Sequence, residues 1–546
     1  MAAGRNLYRY GFFITIAIYC LLVGRFGFEN WDSGFLSGFS WRIINGDRVY
    51  TDFIYIRPPV SAYFHALFME LLPEQGQFFF FRIIGYLLFA LQVYFTVSGF
   101  DHLFDFSSAN VDKWGVMIVA FVLSIHNFFG NPWFTADGIL FASAAFYLIA
   151  RFRQSGLVVL FFAALFCMLS ALTKQSFYFV PIFFLAWILI DLGVKKSLWF
   201  LFFLALITMV FISIILTVSS IENMMGQISG QTSIMDLYDV GFATYIHCYH
   251  NKYIFCIVLL LPLIFGTADS GIKKLSVLLY LRWLSITIFC SCFIALFLIP
   301  YIEIPVIFFN ATLVAFVYKT AFEWDKIRKY FPVLVVLGIA WCTSLSLGYR
   351  HPVLYTTGIL VSYLILMQDE FRILKATQYL QWLSIPVCLF VFSLNAKPYR
   401  EHYITDLSYS LEGVSPKLKY ILSSKETVAK YTDLKKLVQQ YGPDYITVPS
   451  IPMSHYLFGQ HNPFPTEWTS NFEINNKTEE LLELASTIKM YIFVEKSFIE
   501  GEPFIATDGD RNGLSLFTMF IYKNCKPVAE TDHFIIYDSA EIGKHL

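Results

Sequence analysis

The sequence predicts an α-helical polytopic membrane protein, of about thirteen transmembrane helices, ending in a small C-terminal extracytoplasmic α/β domain. Three observations lead there: the composition, the uneven spread of charge along the chain, and the places where Lys and Arg gather. Of 546 residues, 57% are hydrophobic and 14% charged, 59 of them Phe, and the mean hydropathy is +0.58. Soluble domains carry about 25% charged residues, so a water-soluble enzyme of this length is disfavoured, as are disordered and disulfide-stapled chains. Charged residues number 35 of the 151 from 396 onward but only 44 of the first 395. The chain therefore divides into a membrane region, 1–395, and a soluble domain, 396–546, of ordinary domain size.

About 20 apolar residues cross a bilayer as a helix, and continuous apolar runs without alternation are helices rather than barrel strands. Spans are expected near 10–26, 78–100, 114–128, 137–150, 156–172, 177–191, 198–217, 252–267, 278–299, 304–319, 331–347, 353–368 and 378–395. The N-terminus carries Arg5 and Arg9 before an apolar run, like a signal peptide. The following Arg25-Phe26-Gly27-Phe28-Glu29 lacks a small-residue cleavage site, so an uncleaved first span is expected. Basic residues cluster at Arg5/Arg9, Arg151/Arg153, Lys195/Lys196, Lys273/Lys274, Lys326–Lys329 and Arg372/Lys375. With thirteen spans all six clusters fall on the cytoplasmic side. That puts the N-terminus inside and residues 27–77, 127–136, 218–250, 300–303, 348–352 and 396–546 outside.

The first outer loop, 27–77, is long without being charged or of low complexity. It reads Asn30-Trp31-Asp32-Ser33-Gly34, then Asn45-Gly46-Asp47 through Tyr50-Thr51-Asp52-Phe53, then Tyr55-Ile56-Arg57-Pro58-Pro59. Residues Phe35–Ile44 suit an amphipathic helix lying in the interface. Asp32, just beyond the first span, suits a general base acting on a hydroxyl or amine. It equally suits an N-cap, since Asp-Ser-Gly before an apolar helix is a capping signal. Asp52 is a second candidate acid or a plain loop residue. Arg57 offers a fork of donors for a phosphate, or an Arg snorkelling to a lipid headgroup. Asp137, at the outer mouth of the fourth span, is a costly membrane-level carboxylate or another cap. Lys174 and the Arg350-His351 pair fall on outer turns, where the positive-inside rule does not put cations, and so are candidate anion ligands. Acids for proton transfer beside cations for a phosphate describe a transferase with a lipid-phosphate donor, and Tyr55 joins Asp137 as a candidate substrate-binding residue. The alternative is a transporter or flippase of a lipid-linked or anionic substrate. It would place such residues mid-span and repeat its halves, and neither pattern is visible. The net charge of −1 gives no sign of a nucleic-acid partner.

These residues carry a resemblance. Trp31-Asp32-Ser33-Gly34, the run from Asn45-Gly46 through Tyr50-Thr51-Asp52-Phe53 to Arg57-Pro58-Pro59, and Ala171-Leu172-Thr173-Lys174 with Pro181 resemble the GT-C class of membrane glycosyltransferases. The branch is that of protein O-mannosyltransferases and the aminoarabinose transferase of lipid A. The resemblance is specific over 27–77, weaker over 127–181 and architectural beyond. It implies inversion at the anomeric carbon with a polyprenyl-phosphate monosaccharide as donor. It implies that Asp32 matches the base or acceptor-orienting acid, Asp52 the second loop acid, Arg57 the basic residue before the prolines, and Lys174 the Thr-Lys motif near the donor phosphate. Ser33 departs from the second acid of the protein mannosyltransferases, and no MIR-type repeat is visible, which argues against a protein acceptor. No Trp-Trp-Asp motif marks the soluble part. The expectation is an inverting glycosyltransferase of a bacterial-type inner membrane, acting on an envelope glycan, lipid or protein. No cofactor is required, and the three outer acids permit a divalent metal without demanding one.

Cysteines form no metal pair or disulfide pattern, eight of the nine standing singly in apolar stretches. In the soluble part, helices are expected at Thr427–Tyr441 and Thr478–Ser486. Strands are expected at Tyr445–Pro449, Lys489–Val494, Ser515–Tyr522 and His533–Tyr537. The loop Pro452–Trp468, rich in Pro, His, Asn and aromatics, suits either stacking on sugars or covering the domain. His455 and His461 are expected to be packing or surface residues.

Overall fold

The computed structural model describes residues 2–29, 31–109, 111–125, 130–153, 156–229, 234–267, 303–345, 350–369, 401–449, 451–500 and 515–546, with a few positions between 287 and 398. Among the described residues, six helical segments are long and apolar enough to cross a membrane: Asn6–Arg25, Gln77–Phe104, Phe134–Arg151, Gln175–Leu192, Val194–Val218 and Trp324–Ser344. A bent pair, Gly241–Cys248 with Lys252–Leu263, makes a seventh if it is one span. Four apolar helical segments of 10–17 residues are shorter: Lys113–Ile125, Leu157–Ala171, Ile304–Thr320 and Val353–Leu366. The full count of thirteen is thus not reproduced. The expected span 278–299 lies outside the described residues apart from one position, and 378–395 does so apart from a few.

Labelled in chain order, α1 is Ala2–Leu21, α2 Asp32–Ile44, α3 Val60–Leu71, α4 Gln77–Phe104, α5 Lys113–Ile125, α6 Phe134–Arg151, α7 Leu157–Ala171, α8 Val180–Leu192, α9 Val194–Val218, α10 Ile221–Ser229, α11 Ile234–Thr267, α12 Ile304–Thr320 and α13 Trp324–Ser344. Basic side chains meet at one end of this bundle. Arg153 pairs with Asp191, Lys196 donates to the Arg153 carbonyl (2.9 Å) and Arg328 to the Asp191 carbonyl (2.9 Å). Arg9 lies over Trp114, and Lys113 pairs with Asp101 at 3.0 Å. The loop between α1 and α3 meets the other end. Val60 N–H donates to the Leu172 carbonyl (3.1 Å), Gln175 to the Ile56 carbonyl (2.6 Å) and Thr51 to the Val218 carbonyl (2.9 Å).

The C-terminal domain is a three-layer α/β unit. Its sheet runs β3-β4-β6-β5, with β3 (Tyr445–Val448) parallel to β4 (Tyr491–Glu495) and β6 (Phe534–Asp538) antiparallel to β4 and to β5 (Pro527–Glu530). A small ladder of β1 (Tyr409–Ser410) and β2 (Leu422–Ser423) precedes it. Alternation along the strands sends Tyr445, Phe493 and Ile536 to one face, packed with Leu434 and Leu437 of α14 (Lys425–Tyr441). Ile446, Ile492, Val494 and Tyr537 go to the other face, packed with Leu481 of α15 (Thr478–Thr487) and Phe517 of α16 (Leu516–Asn524). The expected strand Ser515–Tyr522 is this last helix. Ser515 caps it through the Thr518 N–H, and Phe517 and Ile521 are buried one helical turn apart. A short apolar run carries no periodicity that separates strand from helix, and the strand Pro527–Glu530 was not foreseen.

The composition boundary at 396 is not a boundary in the core. Phe28, Met69, Phe78 and Phe81 of the membrane region share one apolar cluster with Leu411, Tyr431 and Phe534. The expected interfacial helix is also corrected. α2 exists, but it is buried along most of its length beneath the C-terminal domain. A Cβ on Gly38 would lie 2.3 Å from the Pro452 carbonyl oxygen, and one on Gly34 3.0 Å from Met453. Two glycines one turn apart let Pro452 and Met453 rest directly on the helix.

Candidate functional site

The N-terminus of α2 is capped by Glu29. Its carboxylate accepts from the N–H groups of Trp31 (2.8 Å), Asp32 (3.1 Å) and Ser33 (3.1 Å). A helix leaves those donors unsatisfied, and a carboxylate there also meets the positive end of the helix dipole. The capping role open to Asp32 is therefore filled by another residue. The Asp32 side chain, 8% exposed, instead lies within electrostatic reach of Arg57.

Arg57 ends the extended run before Pro58-Pro59, and α3 begins immediately after it. It does not snorkel. Its two terminal nitrogens form a bidentate pair with Glu473 at 2.8 and 2.6 Å. Its guanidinium lies over Phe35 of α2 (4.8 Å) and Phe134 of α6 (4.7 Å). Burial works against the charge, but Glu473, then Tyr55 and Asp32, outweigh it and raise the pKa. The loop is pinned from below as well. Tyr50 donates to the Arg57 carbonyl (2.6 Å), while Gln227 of α10 bridges the Tyr50 carbonyl and the Tyr55 N–H, 2.9 Å each. Tyr55 is fully buried. Burial pushes its phenol up against the pull of Arg57, with Glu473 and Asp137 adding to the rise.

Lys174 closes the turn between α7 and the 3₁₀ turn Gln175–Phe179. No hydrogen bond or ion pair to another described residue holds its ammonium. Part of its surface remains accessible, yet the protein around it is dense. Burial first, and the Arg57 charge second, push its pKa down to about 7. Two cations that repel each other across a partly desolvated turn form a site that an anion would relieve.

Asp137, in the first turn of α6, binds His65 of α3. Both carboxylate oxygens lie close to Nε2, at 3.1 and 2.9 Å. It too is no cap. Arg57 thus links Asp32, Tyr55, Glu473 and Lys174, and Tyr55 links Asp137 with its partner His65.

Three expected residues lie apart from this group in their described contacts. Asp52 accepts from the Arg48 backbone (2.8 Å) and from its guanidinium (3.0 and 3.0 Å). The Arg48 hydrogen bond holds its carboxyl below the usual range, against a smaller opposing effect of burial. Arg350 is exposed. Burial lowers the pKa of its neighbour His351, Arg350 adding to the fall, while Glu303 acts in the opposite sense. Glu303 itself pairs with Lys252 at 3.5 Å. Among the described residues no three His, Cys, Asp or Glu side chains are grouped to hold a metal.

Glu473 and His65 were missed in the sequence. Glu473 lies 416 residues from Arg57 and in no motif, and His65 is a lone histidine on an apolar helix. The loop Pro452–Trp468 is largely buried, packed against the domain and α2. His455 is buried against Tyr445, donating to its carbonyl at 2.9 Å, and Trp468 packs edge-on to Trp31 and Phe35. Arg42 of α2 ties this loop down, reaching the Phe464 carbonyl (2.7 Å), Glu467 (3.2 Å) and Asp47 (2.8 Å). No protein-family model and no curated protein matches the sequence, so the geometry of the site carries the functional reading.

Proposed function

We propose that the chain is a multi-pass inverting glycosyltransferase, moving one sugar from a polyprenyl-phosphate donor to an envelope glycan, lipid or protein outside a bacterial-type inner membrane. The observation that carries this reading is Lys174, an ammonium without a described partner, within electrostatic reach of Arg57, which in turn has Asp32 within its own reach. In the reaction an acceptor oxygen bonds to the anomeric carbon. The carbon–oxygen bond to phosphate breaks, and its electron pair leaves on the phosphate. Arg57 and Lys174 stabilise the charge that grows there, and Asp32 orients or deprotonates the acceptor.

Orientation follows from charge. Arg9, Lys113, Arg153, Lys196 and Arg328 gather at the bundle end away from the site. By the positive-inside rule that end is cytoplasmic, and the C-terminal domain lies outside. The motif resemblance to the GT-C class supports the same assignment. The chemistry requires no cofactor.

The test is mass spectrometry of envelope glycans and lipids from cells with and without the chain, together with polyprenyl phosphate binding to the purified full chain in detergent. A sugar-mass difference, and binding lost on Lys174→Ala, are expected. Substrate uptake into proteoliposomes with no lipid-linked sugar consumed would favour the transporter instead.

A further inference from the structure

Four polar atoms in and beside the Arg57 group are buried with no hydrogen-bond partner among the described residues: Tyr55 Oη, Ser61 Oγ, His65 Nδ1 and Ser176 Oγ. Natively buried polar groups are nearly always satisfied, and one left bare costs about 1–3 kcal/mol. They come from three neighbouring pieces of chain. Tyr55 is on the loop before Arg57. Ser61 and His65 lie one helical turn apart on α3, so they share a face. Ser176 follows Lys174 by two residues, and its neighbour Gln175 is bonded to the Ile56 carbonyl.

His65 stands out because its tautomer is set. Both Asp137 oxygens face Nε2, and a carboxylate accepts only, so Nε2 carries the hydrogen. In the neutral ring Nδ1 is then a bare acceptor, on a side chain that is 2% exposed, held by a carboxylate that is 1% exposed. A carboxylate fixing one nitrogen while the other awaits a proton is the arrangement of a general base and its positioning group. We infer that, in the transfer proposed above, His65 Nδ1 takes the proton of the acceptor hydroxyl and Asp137 is the residue that positions it. The bare Ser61 and Tyr55 hydroxyls serve as hydrogen-bond partners for the same hydroxyl-bearing ligand. As the acceptor oxygen bonds to the anomeric carbon, its proton passes to Nδ1 and the imidazolium is balanced by Asp137. The phosphate leaves with the electron pair of the broken bond, and the proton later passes from His65 to that phosphate or to water. Asp32 is left to orient the acceptor. Among the described residues, Asp137 from α6 is the charged group bonded to His65, and Tyr55 of the loop before Arg57 lies within electrostatic reach of that Asp137. Phe64 and Phe68 flank His65 on its own helix.

This inference rests on the transferase reading, and its test separates the two. Membranes bearing the wild-type chain, His65→Asn, His65→Gln, Asp137→Asn or Asp32→Asn are followed by mass spectrometry for the sugar-mass change, at pH 5–9. Polyprenyl phosphate binding to each purified full chain is measured alongside. Both His65 variants are expected to lose about 10²–10⁴-fold in rate while binding polyprenyl phosphate as wild type does. Their residual rate is expected to lack the acid limb that wild type and Asp32→Asn retain. Asp137→Asn is expected to shift that limb to lower pH, because the imidazolium loses its counter-charge. Near wild-type turnover by His65→Asn would overturn the assignment. So would an acid limb that survives in both His65 variants, or loss of polyprenyl phosphate binding in both. A wild-type chain that produces no sugar-mass change overturns the transferase reading itself, and the proton-transfer role with it.

Discussion

The Arg57 fork is occupied by Glu473, and Glu473→Gln asks what that occupancy does. Glu473 presents two oxygens at 2.6 and 2.8 Å to the terminal nitrogens of Arg57, the geometry in which Arg also grips a phosphate. The Arg57 and Glu473 side chains are 12% and 9% exposed, so the pair is largely but not fully buried, and breaking a fully buried pair from one side costs about 3–5 kcal/mol. Gln keeps the shape and one acceptor, so a loss of about 3 kcal/mol in stability is expected. A lipid phosphate reaching for Arg57 must displace the carboxylate but meets less resistance from an amide. If about half of the lost interaction is what the phosphate has to overcome, binding tightens about tenfold, since 1.4 kcal/mol is a factor of ten. The perturbation thus moves two readouts in opposite directions. Thermal unfolding of the purified chain should come at lower temperature, and the Kd for polyprenyl phosphate should fall. A variant that stays folded at the assay temperature yet binds polyprenyl phosphate no better than wild type would show that Arg57 is a structural bridge and that the phosphate goes elsewhere.

Other expectations follow from the same contacts. Gly38→Ala puts a methyl 2.3 Å from the Pro452 carbonyl; overpacking of this kind costs about 1–3 kcal/mol, and faster limited proteolysis near residues 396–401 would report the loosened domain. Gly413→Ala, where an added Cβ meets nothing within 4 Å, is the silent control. Because burial and Arg57 push Lys174 down to about 7, its ammonium is lost as pH rises past neutrality, and the anion loses a partner. Polyprenyl phosphate binding should weaken about tenfold between pH 7 and 9, above the second phosphate ionisation near 6. Lys174→Arg, charged throughout, should flatten the profile, and an unchanged slope in that variant would remove Lys174 from the site. Asp32→Asn should leave a folded chain with a transfer rate about 10²-fold lower or less, read from the same sugar-mass change; wild-type turnover would take Asp32 out of the mechanism.

The sequence made some of the site legible because it lies within one loop and one turn. Asp32, Tyr55 and Arg57 are 25 residues apart at most, and Lys174 stood out as a cation on a turn where topology does not favour one. Asp52 looked equal to Asp32 in type and setting, but its neighbour Arg48, four residues back, satisfies its charge locally. Arg350 and His351 shared the merit of Lys174 in sequence, yet their described electrostatic partners lie around Glu303. Glu29 displaced Asp32 as helix cap, which spacing alone left open, because two carboxylates three residues apart can each reach a first turn.

Composition and apolar run length determined by themselves that this is a helical membrane chain with a charged α/β tail. Both follow from local physics, the bilayer's demand for a self-satisfied backbone and the spread of charge along the chain. Tertiary structure alone decided which carboxylates face which cations. The pairing of Arg57 with Glu473, and of His65 with Asp137, joins residues that share no periodicity or motif. Such contacts depend on where folded elements meet, on glycines thin enough to let a loop rest against α2, and on the cost of burying a charge without its counterpart.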